Sequence, residues 1–188
     1  MEILDIIRNR RSVRSFERTP VNIDDLKLMI EMARLAPSGL NLQPIKYICV
    51  NDEGYCDKLF SLTRWAGYTA PLGVPSKEEA PSAYIIVLID EEIRKDGDND
   101  AAYASENIVL TAQAKGIGSC ILGSLQRDDI KELFDIPENQ RIHTVIALGY
   151  SRQKYEVFDM EDSVKYYIDE EKNFHVPKRK TEDIAKFI

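Results

Sequence analysis

The chain has 188 residues, 44% hydrophobic and 30% charged, the balance of a globular protein and not of a disordered one. Its net charge of -7 argues against non-specific nucleic-acid binding. Three cysteines without zinc-like spacing and only two histidines argue against a disulfide framework or a histidine-rich metal site, and favour a reducing, cytoplasmic setting.

In chain order, Ile3, Leu4, Ile6 and Ile7 form a helical stripe broken by Glu2, Asp5 and Arg8, which predicts a short amphipathic helix over 2–9 and not a signal peptide. A basic loop follows, Arg10-Arg11-Ser12-Val13-Arg14-Ser15-Phe16. Asn22 reads as the N-cap of a second helix that runs to about Leu35, with Pro37, Ser38 and Gly39 ending it. Ile45 to Val50 reads as a strand and 54–63 as a helix. The stretch 66–81 is irregular, with two glycines and three prolines, and a loop that long is often functional or mobile. With Trp65 and Tyr68 at its edge, it is expected to lie over a bound ligand and set substrate choice.

Ala83 to Ile89 is the longest apolar run, a buried strand too short to cross a bilayer. Asp98, Asn99 and Asp100 offer caps for a long helix to Lys115, closed by Gly116. Then come a strand over 117–123, a short helix over 128–134 and a strand over 144–148. The tail after Ser151 is charged and rich in tyrosine, and its last turn, Asp183 to Ile188, is apolar enough to dock on something. Neither repeat nor linker divides the chain, so residues 1–188 read as one domain. Two helices precede the first strand, so the pattern is α+β, a sheet flanked by helices, and not a doubly wound alternation.

Four segments are candidates for chemistry. Arg10, Arg11, Ser12 and Arg14 suit a phosphate monoester, because guanidinium groups donate paired hydrogen bonds to its oxygens; the plainer reading is a solvated charged turn. A second cluster, Lys178-Arg179-Lys180, stands far off in a net acidic chain, and the two could converge on one anion. Ala36-Pro37-Ser38-Gly39-Leu40-Asn41-Leu42-Gln43-Pro44 can offer amides and short polar side chains to a planar ring, or can simply join a helix to a strand. Gly116-Ile117-Gly118-Ser119-Cys120-Ile121-Leu122-Gly123 is no dinucleotide fingerprint: Ile121 replaces the third glycine, and the segment runs from helix to strand. Leu122 and Gly123 could still present backbone amides to a flat cofactor. Cys49 and Cys120 read as buried small hydrophobes, and no nucleophile elbow is present.

Together, RRSVRSF, APSGLNLQP, GIGSCILG, ALGY and the late HVPKRK resemble, in order and spacing, the nitroreductase family of flavin-dependent oxidoreductases. The resemblance implies a nitroreductase-like fold, a central mixed β-sheet flanked by helices, in a homodimer with FMN at the interface and NAD(P)H as reductant. It implies FMN contacts from Arg10, Arg11, Ser12 and Arg14, and from Pro37, Ser38 and Gly39 of the other subunit, with Asn41 and Gln43 close by. Leu122 and Gly123 match the backbone that meets flavin N5, and Lys178 and Arg179 the late basic pair that holds phosphate. The tail, about 151–188, is implied to contact the partner subunit. Ile45 stands where the family often has an aromatic residue. The expected activity is electron transfer through flavin N5 to a nitroaromatic, quinone or similar acceptor. No side-chain acid or base, metal, nucleic acid or membrane is called for. A flavin-binding module without turnover, or a flavin-fragmenting or dehalogenating member, stands as the alternative.

Overall fold

The computed structural model describes residues 2–188. Two helices come first, α1 (Ile3–Asn9) and α2 (Ile23–Ala33), with a two-residue strand, β1 (Phe16–Glu17), between them. Asn22 caps α2 by accepting the Asp24 N–H at 2.9 Å, which satisfies one orphan donor of the first turn. β2 (Ile45–Val50) and α3 (Glu53–Ser61) follow, then β3 (Ala83–Asp90), α4 (Asp98–Ala114), β4 (Gly118–Leu122), α5 (Arg127–Leu133) and β5 (Gln140–Ser151). The chain ends with β6 (Tyr155–Asp159), β7 (Tyr167–Ile168), β8 (Phe174–Lys178) and the single turn α6 (Thr181–Ile184).

β5 organises the five-stranded sheet. One of its edges pairs with β3, the other first with β4 and then with β1, and β2 lies beyond β3 as an edge strand. These ladders are all antiparallel. Parallel pairing enters at the margin, as a bridge between Ser12 and Ser119, and in a second sheet, where β8 runs parallel to β6 and antiparallel to β7. The mixing of strand directions is therefore peripheral.

The period-2 geometry of a strand explains why β3 is apolar throughout. Ala83, Ile85, Val87 and Ile89 face α2 and α4, where they meet Leu26, Met29, Ala104 and Ile108. Tyr84, Ile86 and Leu88 face the opposite layer, with Leu59, Trp65 and Ile130. Each fully buried aliphatic side chain there contributes about 1.5–3 kcal/mol.

Several expectations are corrected. Gly97, not an aspartate, takes the cap position of α4, and the Asp100 side chain leaves its own helix. β5 is twelve residues long, where the apolar run predicts only 144–148. At its start, Gln140, Arg141 and Ile142 pair with Asp90, Ile89 and Leu88 beyond a bulge in β3, and at its end Gly149 pairs with Gly118 and Tyr150 and Ser151 with β1, so partner length sets the strand and local hydrophobicity does not. Cys49 is exposed on the edge strand, whereas Cys56 and Cys120 are buried. Trp65 is no lid residue: it is 8% exposed, 6.3 Å from Phe16 and 6.0 Å from Phe60 between ring centres, and its Nε1 donates to Thr63 Oγ1 at 2.9 Å. Gly116, at φ +72, ends the α4 segment as expected.

Candidate cofactor site

The basic loop is an ordered strip. The Val13 N–H donates to the Ser119 carbonyl at 2.8 Å, and the Val13 side chain enters the core. Gly118 permits this approach, since a Cβ there would lie 2.7 Å from Val13 Cγ2. The structure thus brings two of the predicted segments together: Arg10 to Arg14 run beside β4, the strand that ends at Leu122 and Gly123.

The cations of the strip are held differently. Arg10 Nε lies 3.6 Å from Glu106 on α4. Arg11 donates to the carbonyls of Arg8 and Arg10, at the negative end of α1, and burial followed by the charge of Arg10 lowers its pKa. Arg14 donates from Nη1 to the Ser12 carbonyl at 3.2 Å, beneath the rings of Tyr166 and Phe174, whose centres are 4.8 and 5.3 Å from its Cζ. At the end of β4, Leu122 is buried and Gly123 is exposed, and nothing lies within 4 Å of where a Gly123 Cβ would stand. Arg127 fixes this turn, donating to the carbonyls of Gly123 at 3.1 Å and Ile142 at 3.2 Å.

The segment 36–44 docks elsewhere. The Ser38 hydroxyl and the Gly39 N–H donate to the Asp100 carboxylate at 2.6 and 3.2 Å, and the Gln43 N–H donates to Ser38 Oγ at 2.9 Å. Leu40, Asn41 and Gln43 all have left-handed backbone, with φ of 54, 57 and 53. Such residues persist only where their surroundings impose them. Leu40, at 92% exposure, is held outward. A cleft of about 240 Å³ opens beside the loop, lined by Pro37, Ser38, Gln43, Tyr47, Asp100 and Ala104.

Within one chain these groups do not form a single pocket. Arg10 reaches α4 at Glu106, and Ser38 reaches it at Asp100. Six residues are about 9 Å along the helix and about 120° around it. Lys178 and Arg179 are exposed at the end of β8, four to five residues beyond the Phe174 that touches Arg14, or about 13 Å or more along an extended chain. Among the described residues neither makes an ion pair, so the predicted convergence of the two basic clusters is not seen within one chain.

Sequence reasoning missed Asp100, Arg127, Tyr166 and Phe174. Asp100 reads as a helix cap, and nothing in the sequence around Arg127 singles it out. The aromatic pair has no spacing signal, because the segment just before β7 and the strand β8 bring it to Arg14.

The sequence profile of the Nitroreductase family matches residues 7–150. The chain belongs to the nitroreductase family. By that membership it is an oxidoreductase. A relative from Archaeoglobus fulgidus, provisionally named an NADH dehydrogenase/NAD(P)H nitroreductase, is 31% identical over 169 residues, 86% of this chain and 92% of that one. The crystal structure of a nitroreductase family protein from Clostridium novyi NT superposes with a TM-score of 0.70 at 29% identity, over 81% of this chain and 86% of that one. A provisionally named nitroreductase from Desulfovibrio desulfuricans, solved in complex with FMN, gives 0.69 at 26% identity, over 81% and 88%. Among the described residues no helix is long and apolar enough to cross a membrane.

Proposed function

We propose that this nitroreductase-family chain is an FMN-dependent oxidoreductase that takes NAD(P)H as reductant and passes electrons to a small acceptor such as a nitroaromatic or a quinone, working as a cytoplasmic homodimer. The observation that carries the reading is the basic strip Arg10–Arg14 laid against β4, whose end is open at Gly123. The strip suits a phosphate, and an exposed glycine with free space at its Cβ position lets a flat ring come against backbone. The residues present therefore fit FMN.

FMN supplies the hydride and electron chemistry when bound, and the protein's task is binding, orientation and electrostatics. In this reading Arg10, Arg11 and Ser12 hold the phosphate. Arg14 places a fixed positive charge for the pyrimidine edge, where negative charge collects on reduction. Leu122 and Gly123 present backbone to the ring. No side-chain nucleophile is needed, in keeping with buried thiols: burial pushes Cys56 up to about 12 and raises Cys120 as well.

The dimer rests on what one chain leaves unfinished. Pro37 to Gly39 dock on a different face of α4 from Arg10, and in this reading they serve a neighbouring subunit's flavin. Ile3, Leu28 and Leu35 are exposed along an apolar groove of about 410 Å³ between α1, α2 and α4. Ile184, Phe187 and Ile188 at the C-terminus are also exposed, and a partner surface would cover them. Lys178 and Arg179 would then hold phosphate in the assembled dimer.

The test is the absorbance of the purified protein, with equilibrium dialysis of FMN against the apoprotein and NAD(P)H consumption with a nitroaromatic or quinone. A yellow protein that oxidises NAD(P)H only when an acceptor is supplied is expected. Failure to take up FMN at micromolar concentration would overturn the reading.

A further inference from the structure

We infer that the second sheet, which lies beyond the span matched by the family, is a working part of the cofactor site, and that Tyr166 is a positioning residue acting through Arg14. The inference rests on the flavin reading above.

Residues 10–15 have no regular structure of their own, so something other than a helix or a long ladder must fix them. β4 holds one side, through the Val13–Ser119 bond. The chain after Ser151 holds the other. The Arg14 N–H donates to Gln153 Oε1 and to the Tyr155 hydroxyl, both at 3.3 Å, and that hydroxyl donates to Gln153 Oε1 at 2.9 Å. The Arg152 N–H donates to the Ser15 carbonyl at 3.0 Å. Above the guanidinium, Tyr166 and Phe174 are 6.1 Å apart, and Tyr155 stacks on Phe174 at 5.6 Å.

The sheet is itself fastened. His175 of β8 lies 3.1 Å from Glu156 of β6 and 2.9 Å from Asp169 of the β7–β8 turn, and stacks on Tyr167 at 4.7 Å. The rings over Arg14 are therefore carried on a cross-linked support. Arg is long and loses much rotamer freedom when placed, so a preset guanidinium binds better than a free one. One of its five in-plane donors is used by the Ser12 carbonyl.

The test is a double-mutant cycle on FMN affinity, measured by equilibrium dialysis, together with hydrogen exchange at the Arg14 amide in cofactor-free protein. Tyr166→Leu is expected to weaken FMN binding about fivefold and to speed that exchange, while Tyr166→Phe, which keeps the ring, stays within about twofold. In an Arg14→Gln background, Tyr166→Leu should add nothing, because the ring then has no guanidinium to place. Equal weakening in both backgrounds, or unchanged affinity and exchange in Tyr166→Leu, would overturn the inference. Tyr166→Met stands in if the leucine variant does not fold. A wild-type protein that takes up no FMN would instead sink the flavin reading, and this inference with it.

Discussion

Replacing Asp100 by alanine removes the anchor of the loop that carries Pro37 to Gln43. Asp100 is only 5% exposed and accepts from Ser38 Oγ at 2.6 Å and from the Gly39 N–H at 3.2 Å. Hydrogen bonds to a charged group contribute about 1.5–3 kcal/mol each, and the longer one belongs at the low end, so the gross loss is about 4 kcal/mol. Part is recovered. Once released, Leu40, Asn41 and Gln43 can leave the left-handed region, which costs non-glycine residues about 1 kcal/mol apiece. Hydrogen bonding still wins, and the net destabilisation is about 1 kcal/mol, a fall in melting temperature of about 2–4 °C for a chain of this length. Asp100→Asn keeps one acceptor oxygen and should lose about half as much. Differential scanning calorimetry reads both variants. A melting temperature for Asp100→Ala within 1 °C of wild type would show that the carboxylate does not hold the loop, and the strained residues would need another explanation.

Gly123→Val should leave the apoprotein folded, since open space surrounds the missing Cβ, yet cut FMN affinity at least about tenfold; equilibrium dialysis showing wild-type affinity would remove Gly123 from the site. Sedimentation at low micromolar concentration should show a dimer, and a folded flavin-loaded monomer would refute the shared site. Asp169 is held down to about 2, first by its hydrogen bond with His175 and then by the Asn173 N–H, from an ordinary value of 3.8. A lowered folded-state pKa stabilises the charged form, so the second sheet keeps this contribution above about pH 4 and loses it as pH falls toward about 2. Hydrogen exchange across that range should show the tail loosening in wild type, and a slope that persists in Asp169→Asn would contradict the assignment.

The fold was legible wherever one element satisfied its own pattern. The apolar period of α2, the Asn22 cap, the seven apolar residues of β3 and the Gly116 terminator each depend on neighbours within a few positions. What stayed hidden depends on distant partners. β5 is long because β3 gives its polar half a ladder, and β6 to β8 are short strands whose buried residues are Phe174 and Pro177. In the site, the basic strip was visible because three arginines in five positions stand out in an acidic chain. Asp100 and Tyr166 were not, since their roles come from contacts 62 and 152 positions away, at Ser38 and Arg14.

The chain has one tryptophan, and its indole lies in the layer between α3 and the sheet, edge-on to Phe16 and far in sequence from the tail. Such an indole emits at short wavelength while the layer is dry and shifts to the red when water enters. Tyr155, Tyr166 and Tyr167 belong to the second sheet, so their emission follows a different part of the molecule. The protein therefore carries two built-in optical reporters. Melting of the tail alone would change tyrosine emission at constant tryptophan wavelength, and global unfolding would move both, which separates local opening from collapse of the core without any added label.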